Sequence, residues 1–190
     1  MKKIWIFFMG LMLAGCLAGT TKESRFYALK SEQVIPQTYQ TSKVSINVEN
    51  VRIPASIDKP QIVTINPNGV ELVIHELDRW SEPLTFMLAG TLADDMALYL
   101  PNAIVKNGGD VFETFTYEIS IDVVKFIGNA QEAVLDVWWT VRDKNETKII
   151  SKRSTYSENT GPNYVDLVTA QSKLISRLAN DISQKISIYK

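Results

Sequence analysis

Few residues of this chain can carry reactive chemistry. Its 190 residues include one cysteine, Cys16, and one histidine, His75. Histidine-rich zinc sites and cysteine clusters are therefore excluded, because they need several such ligands. A single cysteine also excludes a disulfide within the chain, so packing must hold the fold. The sequence has neither a Gly-x-Ser-x-Gly elbow nor a phosphate-binding glycine loop, and these absences argue against an enzyme.

Neither sign of charge dominates the chain. It has 20 basic and 21 acidic residues and a formal net charge of −1. Two of the lysines, Lys2 and Lys3, lie in a predicted signal peptide, and the net charge becomes −3 without them. A chain without a basic field has no electrostatic footprint for nucleic acid or for anionic lipid head groups. We therefore predict no nucleic-acid partner.

The apolar run near the start of the chain is too short to span a bilayer. Ile4 to Leu13 follows two lysines and has about ten residues, where a membrane span needs roughly 20. The run ends in Leu13-Ala14-Gly15-Cys16, which resembles the bacterial lipobox. We predict that residues 1–15 are a lipoprotein signal peptide. Cys16 would then become the mature N-terminus and carry a diacylglycerol and an N-acyl lipid, with palmitate among the acyl chains.

The lipid anchor restricts where the folded part can act. Several acyl chains attach a protein stably to one face of a membrane. Position 17 is Leu rather than Asp, and this resembles the outer-membrane address of Gram-negative lipoproteins. An acylated Cys16 leaves no thiol for a nucleophilic pair with His75, which excludes that chemistry too. We predict no cofactor apart from the lipid on Cys16.

The rest of the chain is predicted to form one domain. Residues 16–24 are small and polar and suggest a lipidated tether, and residues 25–190 have the size of a single domain. Alternating apolar and polar residues predict the strands, with a phase slip near Asn50. The predicted strands span 25–29, 43–53, 61–66, 70–77, 103–106, 115–123, 133–141 and 148–156. Pro67-Asn68-Gly69 predicts a tight hairpin turn between the third and fourth strands.

Two amphipathic helices complete the predicted domain. Ser81 is predicted to cap the first helix, which ends before Pro101. The second helix follows a break at Gly161-Pro162 and extends from Val165 to Ile186. This order of elements predicts an α/β (α+β) sandwich, in which a mixed, largely antiparallel sheet carries two amphipathic helices packed on it.

Two motifs in the first half of the domain resemble a known family. The first is Ile53-Pro54 followed by Asp58-Lys59-Pro60-Gln61-Ile62-Val63-Thr64. The second is Glu76-Leu77-Asp78-Arg79-Trp80-Ser81-Glu82-Pro83-Leu84. Together they resemble the ABC-type transport auxiliary lipoproteins, and the resemblance covers most of the chain after Cys16. One departure is Asp95, where members of this family tend to carry a neutral asparagine.

The resemblance implies a function and partners. It implies an outer-membrane lipoprotein, facing the periplasm, that serves an intermembrane lipid transport system and thereby membrane integrity. Such a protein would assemble as a ring-shaped homo-oligomer and dock an MCE-type periplasmic transport protein. The family is not known for enzymes.

Two other functions remain open. The first is a monomeric periplasmic lipoprotein that binds a lipid or a small apolar ligand, which requires a pocket between the sheet and the helices. The second is a periplasmic hydrolase, for which the sequence offers no constellation of nucleophile and base.

Five motif residues are candidates for a ligand- or partner-binding surface: Asp58, Pro60, Gln61, Arg79 and Trp80. The alternative is structural, with Trp80 filling the core and Asp58 closing a turn. We favour the structural role for Trp80 and Pro60. Arg79 suits an ion pair and an interface equally, since an arginine beside an aromatic residue serves in either.

Trp138 is a further candidate for an interface. If its neighbour Trp139 points into the core, Trp138 points to the opposite face of the strand, beside Asp136, Thr140 and Arg142. Exposed large aromatic residues favour interfaces. If a helix covers that face instead, Trp138 belongs to the core.

The remaining titratable residues suggest no catalytic or metal site. His75 is interpreted as an ordinary strand histidine rather than a metal ligand. Asp95 falls on the apolar stripe of the first helix, so we predict a raised pKa or a polar neighbour for it. Asp94 points about 100° away from Asp95 on a helix, which does not favour an acid/base pair.

Overall fold

The computed structural model describes residues 22–49, 51–108, 114–145 and 147–189. Its strands are β1 (Arg25–Tyr27), β2 (Ser45–Val48), β3 (Gln61–Ile65), β4 (Leu72–Trp80), β5 (Ile104–Asn107), β6 (Tyr117–Gly128), β7 (Glu132–Asp143) and β8 (Lys148–Asn159). Its helices are α1 (Leu84–Tyr99), between β4 and β5, and α2 (Tyr164–Ile188), after β8. The predicted signal peptide, Cys16 and the start of the tether lie outside the described residues.

The strands form two sheets. A three-stranded sheet has the order β1-β4-β3, with β1 parallel and β3 antiparallel to β4. A five-stranded sheet has the order β5-β2-β6-β7-β8; β2 pairs in parallel with β5 and β6, and β6, β7 and β8 form an antiparallel meander. Helix α1 packs against α2, β2 and β5, and α2 packs against β7 and β8. The predicted α+β class with two helices on mixed sheets is confirmed.

The division into two sheets was not predicted. Alternation tells which residues share a face of a strand, but it does not tell which strands pair. The parallel pairs join strands that are far apart in the chain. The Ser45 N–H, for example, donates to the hydroxyl of Thr116, 71 residues away, just before the β2–β6 pairing begins at Ile46 and Tyr117. Such a pairing cannot be predicted from a turn motif, because no short turn connects the two strands.

The layer between the five-stranded sheet and the helices is densely packed. Its largest buried side chains come from both layers: Trp139, Ile46, Leu92, Met96, Ile119, Leu135, Leu174, Ile175 and Ile182. A cavity lined by residues of both layers, among them Leu88, Val137 and Ile175, has a volume of only about 10 Å³. Sites for small molecules usually measure about 300 Å³ or more. The pocket that a ligand-binding function requires is therefore not found at this place.

The predicted hairpin is confirmed. β3 and β4 pair through a turn at 66–71, in which Gly69 has a φ of +75°. The Asn68 Oδ1 atom accepts hydrogen bonds from the backbone N–H groups of Val70 and Glu71, at 3.0 and 3.3 Å. The positive φ explains why a glycine stands at this position.

The predicted cap of the first helix is wrong. α1 begins at Leu84, and Pro83 is its N-cap, with no capping hydrogen bond from a side chain. A residue before a proline avoids helical backbone angles, so Glu82 cannot be the first residue of a helix capped by Ser81. The Ser81 hydroxyl instead lies 3.7 Å from the sulfur of Met87. Helix α2 does have a side-chain cap, because Asn163 Oδ1 accepts from the Asp166 N–H at 2.9 Å.

The second strand is shorter than predicted. β2 ends at Val48. Beyond it Val51 is buried, and Arg52 forms a single parallel bridge with Asp122 of β6. The predicted phase slip at Asn50 lies outside the described residues. The chain therefore follows the edge of β6 past the end of the regular strand.

Candidate functional site

The two family motifs meet at one end of the three-stranded sheet. Gln61 begins β3 and lies opposite Arg79 near the end of β4. The Trp80 N–H donates to the Pro60 carbonyl at 2.8 Å. The antiparallel hairpin therefore brings together Asp58, Pro60, Gln61, Arg79 and Trp80.

An open cleft of about 350 Å³ lies between the motifs. We call it the motif cleft. It is lined by Asp58, Lys59, Pro60, Trp80, Ser81, Glu82, Pro83 and Leu84. All eight lining residues belong to the two motifs, so the sequence similarity and the surface geometry point to the same place.

Trp80 and Pro60 hold the floor of the motif cleft in place. Trp80 is buried in the hydrophobic core, whereas Pro60 is exposed and contributes its backbone carbonyl. This geometry gives both residues a structural part.

The polar motif residues lie around the cleft and remain accessible. The Asp58 N–H donates to the Pro54 carbonyl at 3.2 Å and closes a turn, while its carboxylate is exposed. Arg79 is half-buried, and its Nε donates to the backbone carbonyl of Glu76 at 3.1 Å. The Gln61 amide donates to the Glu76 carboxylate at 3.0 Å. Gln61 and Arg79 do not line the cleft itself; the charges of both signs around its floor of tryptophan and proline come from Asp58, Lys59 and Glu82.

A polar cluster beside the motif cleft was not predicted. The Asp78 carboxylate is buried, lies 2.9 Å from the Arg25 guanidinium and accepts from the Tyr27 hydroxyl at 2.8 Å. Burial, and then the bond to Asp78, raises the pKa of Tyr27. The register of the β3–β4 pairing shifts between Gln61 and Ile62 of β3, and along β4 the less exposed positions change from Val73 and His75 to Asp78 and Trp80. Alternation along β4 could not have revealed this.

His75 extends the cluster to the first turn of α2. One ring nitrogen lies 2.8 Å from the Thr64 hydroxyl and the other lies 2.7 Å from the Tyr164 hydroxyl. Burial lowers the pKa of His75, so the neutral ring is favoured. Among the described residues, no group of three His, Cys, Asp or Glu side chains is placed to hold a metal ion. The arrangement joins β3, β4 and α2, as expected of a structural strand histidine.

Trp138 lies on a different sheet from the motif cleft. It is 45% exposed on β7, while Trp139 is buried and donates to the Ser154 hydroxyl at 3.1 Å. In the sheet it stands between Asp122 of β6 and Arg153 of β8. The predicted opposite orientation of the two tryptophans is thus observed, and no helix buries Trp138.

Two ion pairs flank Trp138. Arg52 pairs with Asp122, and Arg153 pairs with the otherwise buried Asp136 at 2.6 Å. The hydrogen bonds from these arginines lower the pKa of both aspartates. We call Trp138 and the two ion pairs the tryptophan face.

Asp95 of α1 is fully buried against the segment that joins β1 to β2. Its Oδ1 accepts from the Ser31 hydroxyl at 2.7 Å and from the Glu32 N–H at 2.9 Å, while its Oδ2 has no hydrogen-bond partner. Burial raises its pKa to about 6, although the two hydrogen bonds act in the opposite direction. The neighbouring Asp94 is exposed. Both features match the prediction for this pair.

Comparison with known proteins identifies the family of this chain. The model of the ABC-type transport auxiliary lipoprotein component family matches residues 27–183. This chain belongs to that family. A search of curated proteins found none that matches it. Within the described residues, no helix has the length and apolar character required to cross a membrane.

Solved structures share the fold. A crystal structure of an uncharacterized protein superposes with a TM-score of 0.73 at 16% identity, over 87% of this chain and 99% of the other. A crystal structure of a Xanthomonas campestris protein superposes with a TM-score of 0.71 at 14% identity, over 87% of this chain and 95% of the other. At such low identity, these similarities establish the fold alone.

Proposed function

We propose that this protein is an accessory component of an MCE/ABC-type intermembrane lipid transport system, anchored to the outer membrane and facing the periplasm. The observation that carries the proposal is the match to a transport auxiliary lipoprotein family over residues 27–183. The lipobox ending at Cys16 supports an anchor, and Leu17 supports the outer membrane.

The proposed mechanism is geometric rather than enzymatic. Acyl chains on Cys16 hold the domain at the membrane, and copies of the domain form a ring that docks the end of an MCE-type transport conduit. Such a ring uses one heterologous interface repeatedly, with a rotation that closes. A densely packed core suits this role, because a docking ring needs rigid surfaces and no internal ligand pocket.

We assign the ring contact to the tryptophan face. An exposed tryptophan surrounded by paired charges has the composition of an interface hot spot, with an aromatic centre and a polar rim. The motif cleft, lined in part by the exposed Asp58 and Glu82, is assigned to the transport partner. The two surfaces belong to different sheets and share no residue.

The test compares Trp138→Ala with the unmodified lipoprotein in detergent. We expect the variant to form smaller assemblies by analytical ultracentrifugation while its melting temperature stays nearly unchanged, because the side chain is already half in water. Phe86→Ala is the matched control, since Phe86 is an exposed aromatic residue on α1.

Two results would count against the proposed function. One is a protein that sediments as a monomer at high concentration and co-purifies with no MCE-type protein. The other is a Trp138→Ala variant that keeps its assembly and loses much of its stability, because the tryptophan would then be structural.

A further inference from the structure

An exposed apolar surface lies where the folded domain begins. Phe26 of β1, Val34 of the following segment and Val165 of α2 are 65%, 85% and 62% exposed. All three line one open cleft of about 530 Å³. We call these three residues the anchor-proximal surface. These residues are distant in sequence, yet their large apolar side chains lie close together and exposed to water. Such a cluster is unusual for a surface that only contacts solvent.

The anchor-proximal surface rests on a fixed base. The Lys30 N–H donates to the Ser172 hydroxyl of α2 at 3.1 Å. Ser31 and Glu32 donate to the buried Asp95 of α1. The segment that carries Val34 is thus fastened to both helices just before it reaches the surface.

The chain leading to the anchor limits how far this surface can be from the membrane. Phe26 is ten residues after Cys16. At no more than about 3.6 Å per residue, Phe26 lies within roughly 36 Å of the lipidated residue whatever path the chain takes. No other exposed apolar side chain of a described helix or strand is nearer in sequence to the anchor.

Charge at the cleft favours apolar contact over electrostatic attraction. Of the cleft-lining residues, Lys30 and Glu32 carry opposite charges. The whole chain has no excess of basic residues to attract anionic head groups. A bilayer interface beside the anchor is therefore the occupant that matches a neutral apolar surface.

We propose that the anchor-proximal surface inserts into the lipid interface next to Cys16 and so fixes the orientation of the domain on the membrane. This inference rests on the lipid anchor of the proposed function. Insertion would add contacts close to the anchor and leave the tryptophan face, which lies on the other sheet, for protein partners.

The lone cysteine makes a direct test possible. Once Cys16 is acylated, a cysteine introduced elsewhere is the only free thiol for a nitroxide spin label. Labels are placed by Val34→Cys and Val165→Cys in the full lipoprotein. The matched controls are Val70→Cys, 84% exposed in the β3–β4 turn, and Ile104→Cys, 63% exposed on β5.

Each labelled protein is reconstituted into vesicles of phosphatidylethanolamine and phosphatidylglycerol, and collision rates with oxygen and with an aqueous nickel chelate are measured. We expect the ratio of oxygen to nickel collisions to be several-fold higher at positions 34 and 165 than at positions 70 and 104. Raising the salt concentration should leave the ratios unchanged, since apolar contact is not screened.

Three results would overturn the proposal, and they differ from one another. Ratios equal to those of the controls in protein that floats with the vesicles would show a surface in water. Protection from both reagents would show that a second copy or another protein covers the surface. A protein that carries no acyl chain by intact mass and does not float would refute the anchor, and with it both the proposed location and this surface.

Discussion

Asp95 is an ionisable side chain in an unfavourable environment for a charge. The carboxylate is fully buried, and only one of its oxygens has hydrogen-bond partners. Its pKa rises from 3.8 to about 6 because burial disfavours the charged form. The folded protein therefore holds this proton more tightly than the unfolded chain does. Its contribution to stability is greatest below the unfolded pKa and is lost as the pH rises through about 6.

Replacing Asp95 by asparagine should stabilise the protein at neutral and alkaline pH. A pKa shift of about two units corresponds to about 3 kcal/mol, which sets the upper limit of the gain. Asparagine keeps an oxygen for the Ser31 and Glu32 donors and removes the buried charge. We expect a gain of about 1–3 kcal/mol in urea unfolding at about pH 8, falling to near zero at about pH 4, where Asp95 is neutral in both states.

The control for this prediction is Asp94→Asn. Asp94 is the exposed neighbour on the same helix, so removing its charge should change stability little at either pH. Equal effects of the two substitutions, or a loss of stability in Asp95→Asn at about pH 8, would contradict the interpretation of Asp95.

Single residues were predictable where their environment follows from the period of one element. The helical period placed Asp95 on a buried stripe and so predicted a raised pKa or a polar neighbour, and both are observed. The strand period placed Trp138 and Trp139 on opposite faces. Asp78 was not predictable, because the register shift in the β3–β4 pairing interrupts the alternation of buried and exposed residues along β4.

At the scale of elements, the turn between β6 and β7 depends on a close approach to α2. Gly128 ends β6, and a Cβ atom added there would lie 2.6 Å from a Leu167 methyl, 2.8 Å from the Glu132 carbonyl oxygen and 3.0 Å from the Ala133 Cα. Two of these neighbours are backbone atoms of β7 and cannot rotate away. The glycine therefore sets how closely the turn and the helix pack.

Gly128→Ala should destabilise the protein by about 1–3 kcal/mol, the usual effect of overpacking a well-packed site. Gly90→Ala is the matched control, because a Cβ at this position of α1 meets only Asn107 Nδ2, at 3.6 Å. We expect the control to gain up to about 1 kcal/mol from helix propensity. Thermal unfolding of both variants measures the difference, and equal stabilities would contradict the close approach at Gly128.

The sequence predicted which helices and strands exist better than it predicted where they begin and end or which strands pair. The Asn-Gly turn and the alternating strands carry local signals, and the hairpin and meander followed from them. The start of α1 was mispredicted because a serine near a proline resembles a cap, while the proline itself dictates where helical angles begin. The motif cleft could have been predicted only by combining two signals. The family motifs single out residues 58–60 and 80–84, and the β3–β4 hairpin places these two stretches next to each other.

For the whole molecule, the anchor is predicted to be necessary for function and unnecessary for folding. The packed hydrophobic core is formed by side chains between Leu29 and Ile186. A Cys16→Ser protein should therefore keep its circular dichroism spectrum and melting temperature. It should move from the membrane fraction to the soluble fraction and fail to restore envelope integrity in a strain that lacks the wild-type gene.

The unmodified gene, expressed at the same level, is the control for Cys16→Ser. Full restoration by the variant would mean that the anchor only directs the protein to its compartment. Misfolding of the variant would mean that the N-terminal segment belongs to the structural core.

The long-range pairings have a consequence for the order of folding. The meander of β6, β7 and β8 joins neighbours in the chain, whereas Arg25 pairs with Asp78 across 53 residues and Lys30 bonds to Ser172 across 142 residues. Contacts that close long loops form slowly, because chain entropy is lost before they stabilise anything. We therefore expect the meander to form early and residues 25–44 to dock last, once α2 has been formed. The part of the domain that is nearest to Cys16 in the chain would then be the last to reach its native state.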